Sequence, residues 1–175
     1  MDIVKNGEWK ERGQEGILWL AINAKYSHTS LAVRYLRECV PGSEILELTI
    51  NHQLLAALGE IYERRPRVLG IACYIWNIDM TCHLIDLVKQ VFPDTKIFVG
   101  GPEVSYTARQ ILEDYEHIDY VLQGEGEDMV PAFLKSLAAG RDGTEVPGVL
   151  GRVHGVIQGD ETFQEVEDLD SLPFP

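Results

Sequence analysis

The sequence predicts an α/β fold, a doubly wound, five-stranded parallel sheet of order 2-1-3-4-5 with a small β-hairpin near the C-terminal end. Three observations carry this. Apolar runs of strand length alternate five times with stretches whose apolar residues recur at helical spacing. Each strand-plus-helix unit takes about 25 to 30 residues, room enough for a crossover connection. Strands joined by helices pair in parallel through right-handed crossovers, with helices on both faces.

The elements follow in order. Residues 1–16 are polar, with Gly7, Gly13 and Gly16, and read as a loosely ordered leader. ILWLAI (17–22) is a continuous apolar strand; Leu31, Ala32, Tyr35, Leu36 and Cys39 then mark a helix stopped by Pro41-Gly42. EILELTI (44–50) alternates, with Leu46, Leu48 and Ile50 on one face, as an edge strand does. Leu54, Leu55, Leu58, Ile61 and Tyr62 form the second helical stripe, ended by Pro66. RVLGIACYI (67–75) is the most apolar strand and therefore central. Leu84 to Phe92 gives a third helix and KIFVG (96–100) a fourth strand. Val104, Ala108, Ile111, Leu112 and Tyr115 give a fourth helix with Pro102 at its first position. IDYVLQG (118–124) and the stripe Val130, Phe133, Leu134, Leu137 complete the fifth unit, so the α/β domain spans 17–140. In 141–175, short apolar runs around Gly151 and Gly155 predict a hairpin, and DLDSLPFP reads as a linker toward a downstream domain. The arrangement is flavodoxin-like (Rossmann-like); the Rossmann strand order fits the same periodicity.

The totals narrow the function classes. Of 175 residues, 45% are hydrophobic and 25% charged, ordinary for a globular protein. No apolar run approaches the roughly 18 residues of a membrane span, and the N-terminus lacks a signal-peptide pattern, so the default location is cytoplasmic. The net charge of −13, without a basic stripe, argues against a nucleic-acid partner. Part of that acidity sits in GDETFQEVEDLD, which reads as a solvated tail. Cys39, Cys73 and Cys82 form no C-x-x-C pair, which points away from disulfides and zinc; Cys39 and Cys73 suit core packing.

In an open α/β sheet, ligands bind beyond the carboxyl ends of the strands. Those ends lead into NAKYSHTS (23–30), NHQ (51–53), WNID (76–79), GGPE (100–103) and QGEGE (123–127). In the predicted order all but the second lie along one rim. Gly100-Gly101-Pro102, followed by Glu103, lets the backbone turn with φ > 0 and a ligand come close. Gly124 and Gly126 bracket Glu125 in the same way. Any βα turn favours glycine, but two such motifs on adjacent strands suit a large, flat ligand. Ser27, Thr29 and Ser30 precede a helix, so one caps it while the others offer hydroxyls to an anion. His28 reads either as a metal ligand or, more commonly for a lone loop histidine, as a surface hydrogen-bonding group. Trp76 at a strand end can stack on a planar ligand, with Asn77 or Asp79 capping the next helix. There is no P-loop, no G-x-G-x-x-G at the first turn, no G-x-S-x-G elbow and no acidic receiver site. The rim carries no nucleophile–base pair, so the domain alone is poorly equipped for catalysis.

Taken as a set, NAKYSHTSLAVRYL, YIWN, GGPEVS, GEGE and the closing DLDSLPFP resemble the N-terminal cobalamin-binding domain of radical S-adenosylmethionine enzymes. The subgroup is that of the anaerobic magnesium-protoporphyrin cyclase and cobalamin-dependent methylases, and the similarity covers about residues 16 to 175. The resemblance implies a flavodoxin-like module holding cobalamin against the carboxyl rim, and a radical S-adenosylmethionine domain in cis beyond the LPFP-type linker. S-adenosylmethionine and a 4Fe-4S cluster would belong to that downstream domain, whose C-x-x-x-C-x-x-C motif does not occur in these 175 residues. The parent class would be a methyltransferase or an oxidative cyclase.

By the same resemblance, Ser27, His28, Thr29, Trp76, Asn77, Gly100, Gly101, Pro102, Glu103, Gly124, Glu125 and Gly126 line the cobalamin site. The methionine synthase type of domain uses D-x-H-x-x-G, but Tyr26 stands two residues before His28 and Leu31 three after it. By resemblance to the radical subgroup, cobalamin would bind base-off with no histidine from that motif, its dimethylbenzimidazole tail in a slot beside the first loop and first helix. Two other readings fit the residues: an FMN- or nucleotide-binding module with SHTS as phosphate cradle, and a ligand-free protein-interaction module.

Overall fold

The unbroken apolar run at 17–22 becomes β1 (Ile17–Asn23), buried on both faces along almost its full length. That degree of burial requires helices on both sides. In this computed structural model, which describes residues 16–175, they are present; the leader, Gly16 apart, lies outside the described residues. The chain continues α1 (Leu31–Cys39), β2 (Glu44–Thr49), α2 (Leu54–Arg64), β3 (Val68–Ala72), α3 (Ile78–Val91) and β4 (Lys96–Gly100). It then forms α4 (Ala108–Asp114), β5 (Tyr120–Leu122), α5 (Gly126–Ala138), β6 (Val149–Val153) and β7 (Val156–Gly159).

The sheet order is β2-β1-β3-β4-β5-β6-β7. The first five strands pair in parallel, so the predicted 2-1-3-4-5 core is correct. The hairpin, however, is part of the same sheet: β6 runs antiparallel to β5, and β7 antiparallel to β6. Without it β5 would be a bare edge of a buried sheet, whereas Val149 and Leu150 now complete both core layers.

Alternation along the strands sorts the core into two layers. Leu18, Leu20, Leu69, Ile71, Ile97 and Val99 pack on the face covered by α2, α3 and α4. Trp19, Ala21, Phe98, Tyr120 and Leu122 pack on the face covered by α1 and α5. There Trp19, Phe98, Phe133 and Tyr120 form a chain of edge-to-face rings with centroids 4.9–5.9 Å apart. The Trp19 indole N–H is satisfied by Ser43 Oγ at 2.6 Å.

Two expectations need correction. The fourth helix begins at Ala108 rather than near Val104, and Pro102 lies in a turn rather than at a helix start. Gly101, at φ +110°, sends its carbonyl to Val104 and Ser105 N–H, and Val104 is buried as a plug beneath these turns. The acidic stretch after β7 is also not simply a solvated tail. Gln164 bridges Gly124, and the Val166 N–H donates to Glu125 Oε2 at 2.5 Å. Among the described residues no helix is long and apolar enough to cross a membrane.

Candidate functional site: a cleft under the carboxyl rim

The site begins with small residues on β3. Successive strand residues point to opposite faces, so Val68, Gly70 and Ala72 share the α1/α5 side. A Cβ on Gly70 would come within 2.6–2.8 Å of the Phe98 and Trp19 rings, so only glycine fits there. With nothing larger than Ala72 above it, a mainly apolar cleft of about 190 Å³ opens between α1 and α5. Ala32, Val33 and Leu36 of α1 form one wall, and Met129 and Val130 of α5 the other. Gly100, Gly101, Pro102, Gly124, Glu125 and Gly126 line it near the rim, with Tyr74 and Glu127. Half of the sequence-predicted site residues therefore converge on one cleft.

The glycines there have backbone duties as well. A Cβ on Gly101 would sit 2.6 Å from the Cys73 carbonyl, and Gly124, at φ +106°, faces the backbone of Gln164. Their close approach is thus to the chain's own main chain. Gly126 differs: a Cβ there would point at Leu36 Cδ2, 3.1 Å away, and narrow the gap between α5 and α1.

The other predicted residues lie outside the cleft. Asn77 is fully buried, and its amide is committed to backbone. Its Nδ2 donates to the Ile22 and Ala72 carbonyls at 3.0 Å, and its Oδ1 accepts from Tyr74 N–H at 2.8 Å. It ties the ends of β1 and β3 together, and its side chain makes no cap to α3. Trp76 is 46% exposed, donates to the Ile22 carbonyl at 3.2 Å, and stacks on Tyr74 with centroids 4.5 Å apart. The stacked pair stands beside the mouth of the cleft, with Tyr74 lining it and Trp76 outside it. Burial pushes the Tyr74 phenol up, so it remains a neutral donor. Glu103 is partly buried, and its N–H donates to the Cys73 carbonyl.

The loop 23–30 is held by a residue on which sequence reasoning is silent. Glu47, on β2, accepts from Asn23 Nδ2 (2.9 Å), from Ser30 N–H (3.1 Å) and from Arg34 (2.7 Å). Burial pushes its carboxyl up, but the Ser30, Asn23 and Arg34 hydrogen bonds outweigh that and hold it below its ordinary value. The carboxylate sits where an anion would bind, at the N-terminus of α1. Ser30 is the N-cap by position, yet its hydroxyl makes no cap bond and is buried without a partner. Ser27, His28 and Thr29 are exposed on the outer turn; the His28 carbonyl is fixed by Asn23 Nδ2.

The thiols contribute no nucleophile. Cys73, just beyond β3, is fully buried and its thiol is pushed far up by burial; burial also pushes Cys82 up to about 11. Among the described residues no group of three or more His, Cys, Asp or Glu is placed to hold a metal ion. Sequence reasoning missed Tyr74, Gly70, Ala72 and Glu47, along with the α1 and α5 residues that wall the cleft. The small-residue positions in VLGIA were the available signal for the cleft.

Fold and cleft together define a carboxyl-rim binding domain of the doubly wound α/β class. The B12 binding domain family matches residues 17–134, most of the chain, and this protein belongs to that family. The cobalamin-dependent radical SAM methyltransferase TokK of Streptomyces tokunonensis is 28% identical over 151 residues, covering 82% of this chain and 22% of TokK. The hopanoid C-3 methylase of Methylococcus capsulatus is 36% identical over 95 residues, 53% of this chain and 18% of that enzyme. The chain thus spans only about a fifth of these relatives' length. Among solved structures, the radical enzyme OxsB with aqua-cobalamin and S-adenosylmethionine bound aligns with a TM-score of 0.74 at 14% identity. That alignment covers 91% of this chain and 24% of OxsB. TsrM from Kitasatospora setae, with cobalamin and a 4Fe-4S cluster bound, gives 0.66 at 17% identity over 86% of this chain and 30% of TsrM. At those identities the likeness is one of fold.

Proposed function

We propose that this domain binds cobalamin base-off along its carboxyl rim and presents the corrin to a radical S-adenosylmethionine domain in cis. The observation that carries the reading is the cleft: apolar, floored by Gly70 and Ala72, and opening at the rim between two helices. An apolar cavity of about 150 Å³ accepts a benzene ring. At about 190 Å³, and open toward the rim, this cleft suits the flat bicyclic base of a displaced nucleotide tail. Gly126 keeps its walls apart, and Tyr74 offers a phenol O–H at the mouth. The Tyr74–Trp76 stack brings aromatic surface to the rim for the edge of the macrocycle.

Bound cobalamin supplies a redox-active cobalt that exchanges alkyl groups. The domain's own part is to hold the tail, exclude water from beneath the ring and leave the outer face free. No histidine lines the cleft, and His28 stands on the exposed outer turn, which supports binding without a protein imidazole on cobalt. TokK and the hopanoid methylase are methyltransferases, which favours methyl transfer as the parent reaction class.

Glu47 weighs against the nucleotide alternative. A phosphate cradled by SHTS at the start of α1 would meet a carboxylate already bonded to the Ser30 N–H. Titration with hydroxocobalamin tests the proposal: a shift of the corrin absorption bands and co-elution with the protein are expected. Reduced to the cobalt(II) state, the complex is expected to give an electron paramagnetic resonance spectrum without nitrogen splitting from a lower ligand. Free passage of the cofactor through gel filtration would refute binding, and nitrogen splitting would refute the base-off, histidine-free mode.

A further inference from the structure

Residues 160–166 leave the outer strand β7 and run back over the carboxyl rim. Successive anchors hold them there. Gln123 Nε2 donates to the Asp160 carbonyl at 2.9 Å, and Arg109 pairs with Glu161 at 2.5 Å. Phe163 stacks on Tyr106 with centroids 5.3 Å apart and planes 10° from parallel. Gln164 then pairs across Gly124: its N–H donates to the Gln123 carbonyl at 3.0 Å, and its carbonyl accepts from Glu125 N–H at 2.9 Å. Finally the Glu125 carboxylate takes the Val166 N–H. Gly124 and Glu125, at the end of this sequence, also line the cleft.

We infer that this strap positions one side of the cleft from outside it: docked, it holds the β5–α5 loop in the geometry that shapes the rim side of the slot. The reason is local. Gly124 sits in a left-handed conformation, and the peptide groups on both sides of it bond to the strap. Undocking removes both bonds at once and leaves only the Ser105 hydroxyl on the Gly124 N–H, loosening a glycine-flanked loop whose next residues begin α5, the helix that supplies Met129 and Val130 to the wall. Coupling of this kind is reciprocal, so a ligand that fills the cleft also tightens the strap, and with it the start of the segment that follows. Phe163 and Glu161 are then positioning residues, acting on the cleft only through the loop. The ligand half of the inference rests on the cobalamin reading; the mechanical half does not.

The test uses an E161A/F163A double variant of the full chain, with F163Y as the conservative control. Both positions are exposed, so the sheet and helices are expected to stay intact. Amide hydrogen exchange without any cofactor is expected to quicken at Gly124–Val130 as well as at 160–166, and F163Y to restore the wild-type pattern. With hydroxocobalamin bound, release is expected to be about 2- to 10-fold faster in the double variant, the factor that losing one aromatic pair gives. Faster exchange confined to 160–166 overturns the inference, as does a release rate equal to wild type. If the wild type takes up no cobalamin, the cofactor reading alone fails, and the exchange pattern still decides the role of the strap.

Discussion

The two faces of the sheet are built from the same strands and end with opposite character. Toward α2, α3 and α4, β3 sends Leu69 and Ile71 into a layer filled by Leu84, Ile85 and Val88. Toward α1 and α5 it sends Val68, Gly70 and Ala72, so beyond Val68 this face of the strand carries nothing larger than a methyl group. The first face is close-packed; the second keeps a cleft of about 190 Å³. In this domain the cleft arises from what one strand leaves out, while the polar residues near it serve mostly to hold loops. Asn77 and Glu47 are of that kind: each looks like a ligand contact in sequence, or like nothing at all. Asn77 is spent on the chain's own backbone, Glu47 on the Ser30 N–H and the Asn23 and Arg34 side chains.

The contrast can be broken from either side. Ile71→Ala on the filled face is expected to cost about 2–5 kcal/mol of stability, read by urea unfolding, because neighbours cannot close the void. A loss under about 1 kcal/mol would mean that this face is looser than it looks. Ala72→Leu on the cleft face is expected to do the reverse. It should lower cobalamin affinity about 100-fold, near 2.7 kcal/mol, with little change in unfolding midpoint.

Glu47→Gln should cost about 1–2 kcal/mol and loosen the 23–30 loop, seen as faster exchange of the Ser30 amide. The sign with pH follows from its lowered folded pKa. The stabilisation is present above the unfolded value and is lost as pH falls through the lower folded one. Raising pH above neutral should leave it unchanged, and E47Q should remove this acid-side loss. The smallest effect is expected from His28→Ala, which should leave cobalamin affinity within about twofold. A larger loss, or a changed cobalt(II) resonance, would return that imidazole to the metal.

Much of this architecture was readable in the sequence, for identifiable reasons. The five apolar runs and their helical partners fixed the parallel core, because burial on both faces leaves no other use for ILWLAI or VLGIA. The rim motifs GGP and GEG were found because glycine at a strand end is conspicuous. What escaped depends on pairing across long separations. β6 joins β5 through a short, glycine-broken run whose periodicity does not name its neighbour. Val104 fits a helical stripe, but buried turns take it instead. Glu47 occupies an outward-reading position on an alternating edge strand, so its capture of the α1 N-terminus leaves no local trace. The docked strap was hidden by its acidic composition: its contacts with the β5–α5 loop are mainly backbone bonds, which composition does not report.

The most direct test of the cleft as a cofactor slot is a paired hydroxocobalamin titration of the wild type and Ala72→Leu, followed by corrin absorption and gel filtration. The expected result is a band shift and co-elution for the wild type, with neither for a variant that unfolds at the wild-type midpoint. Equal binding by both proteins would contradict the assignment of the cleft.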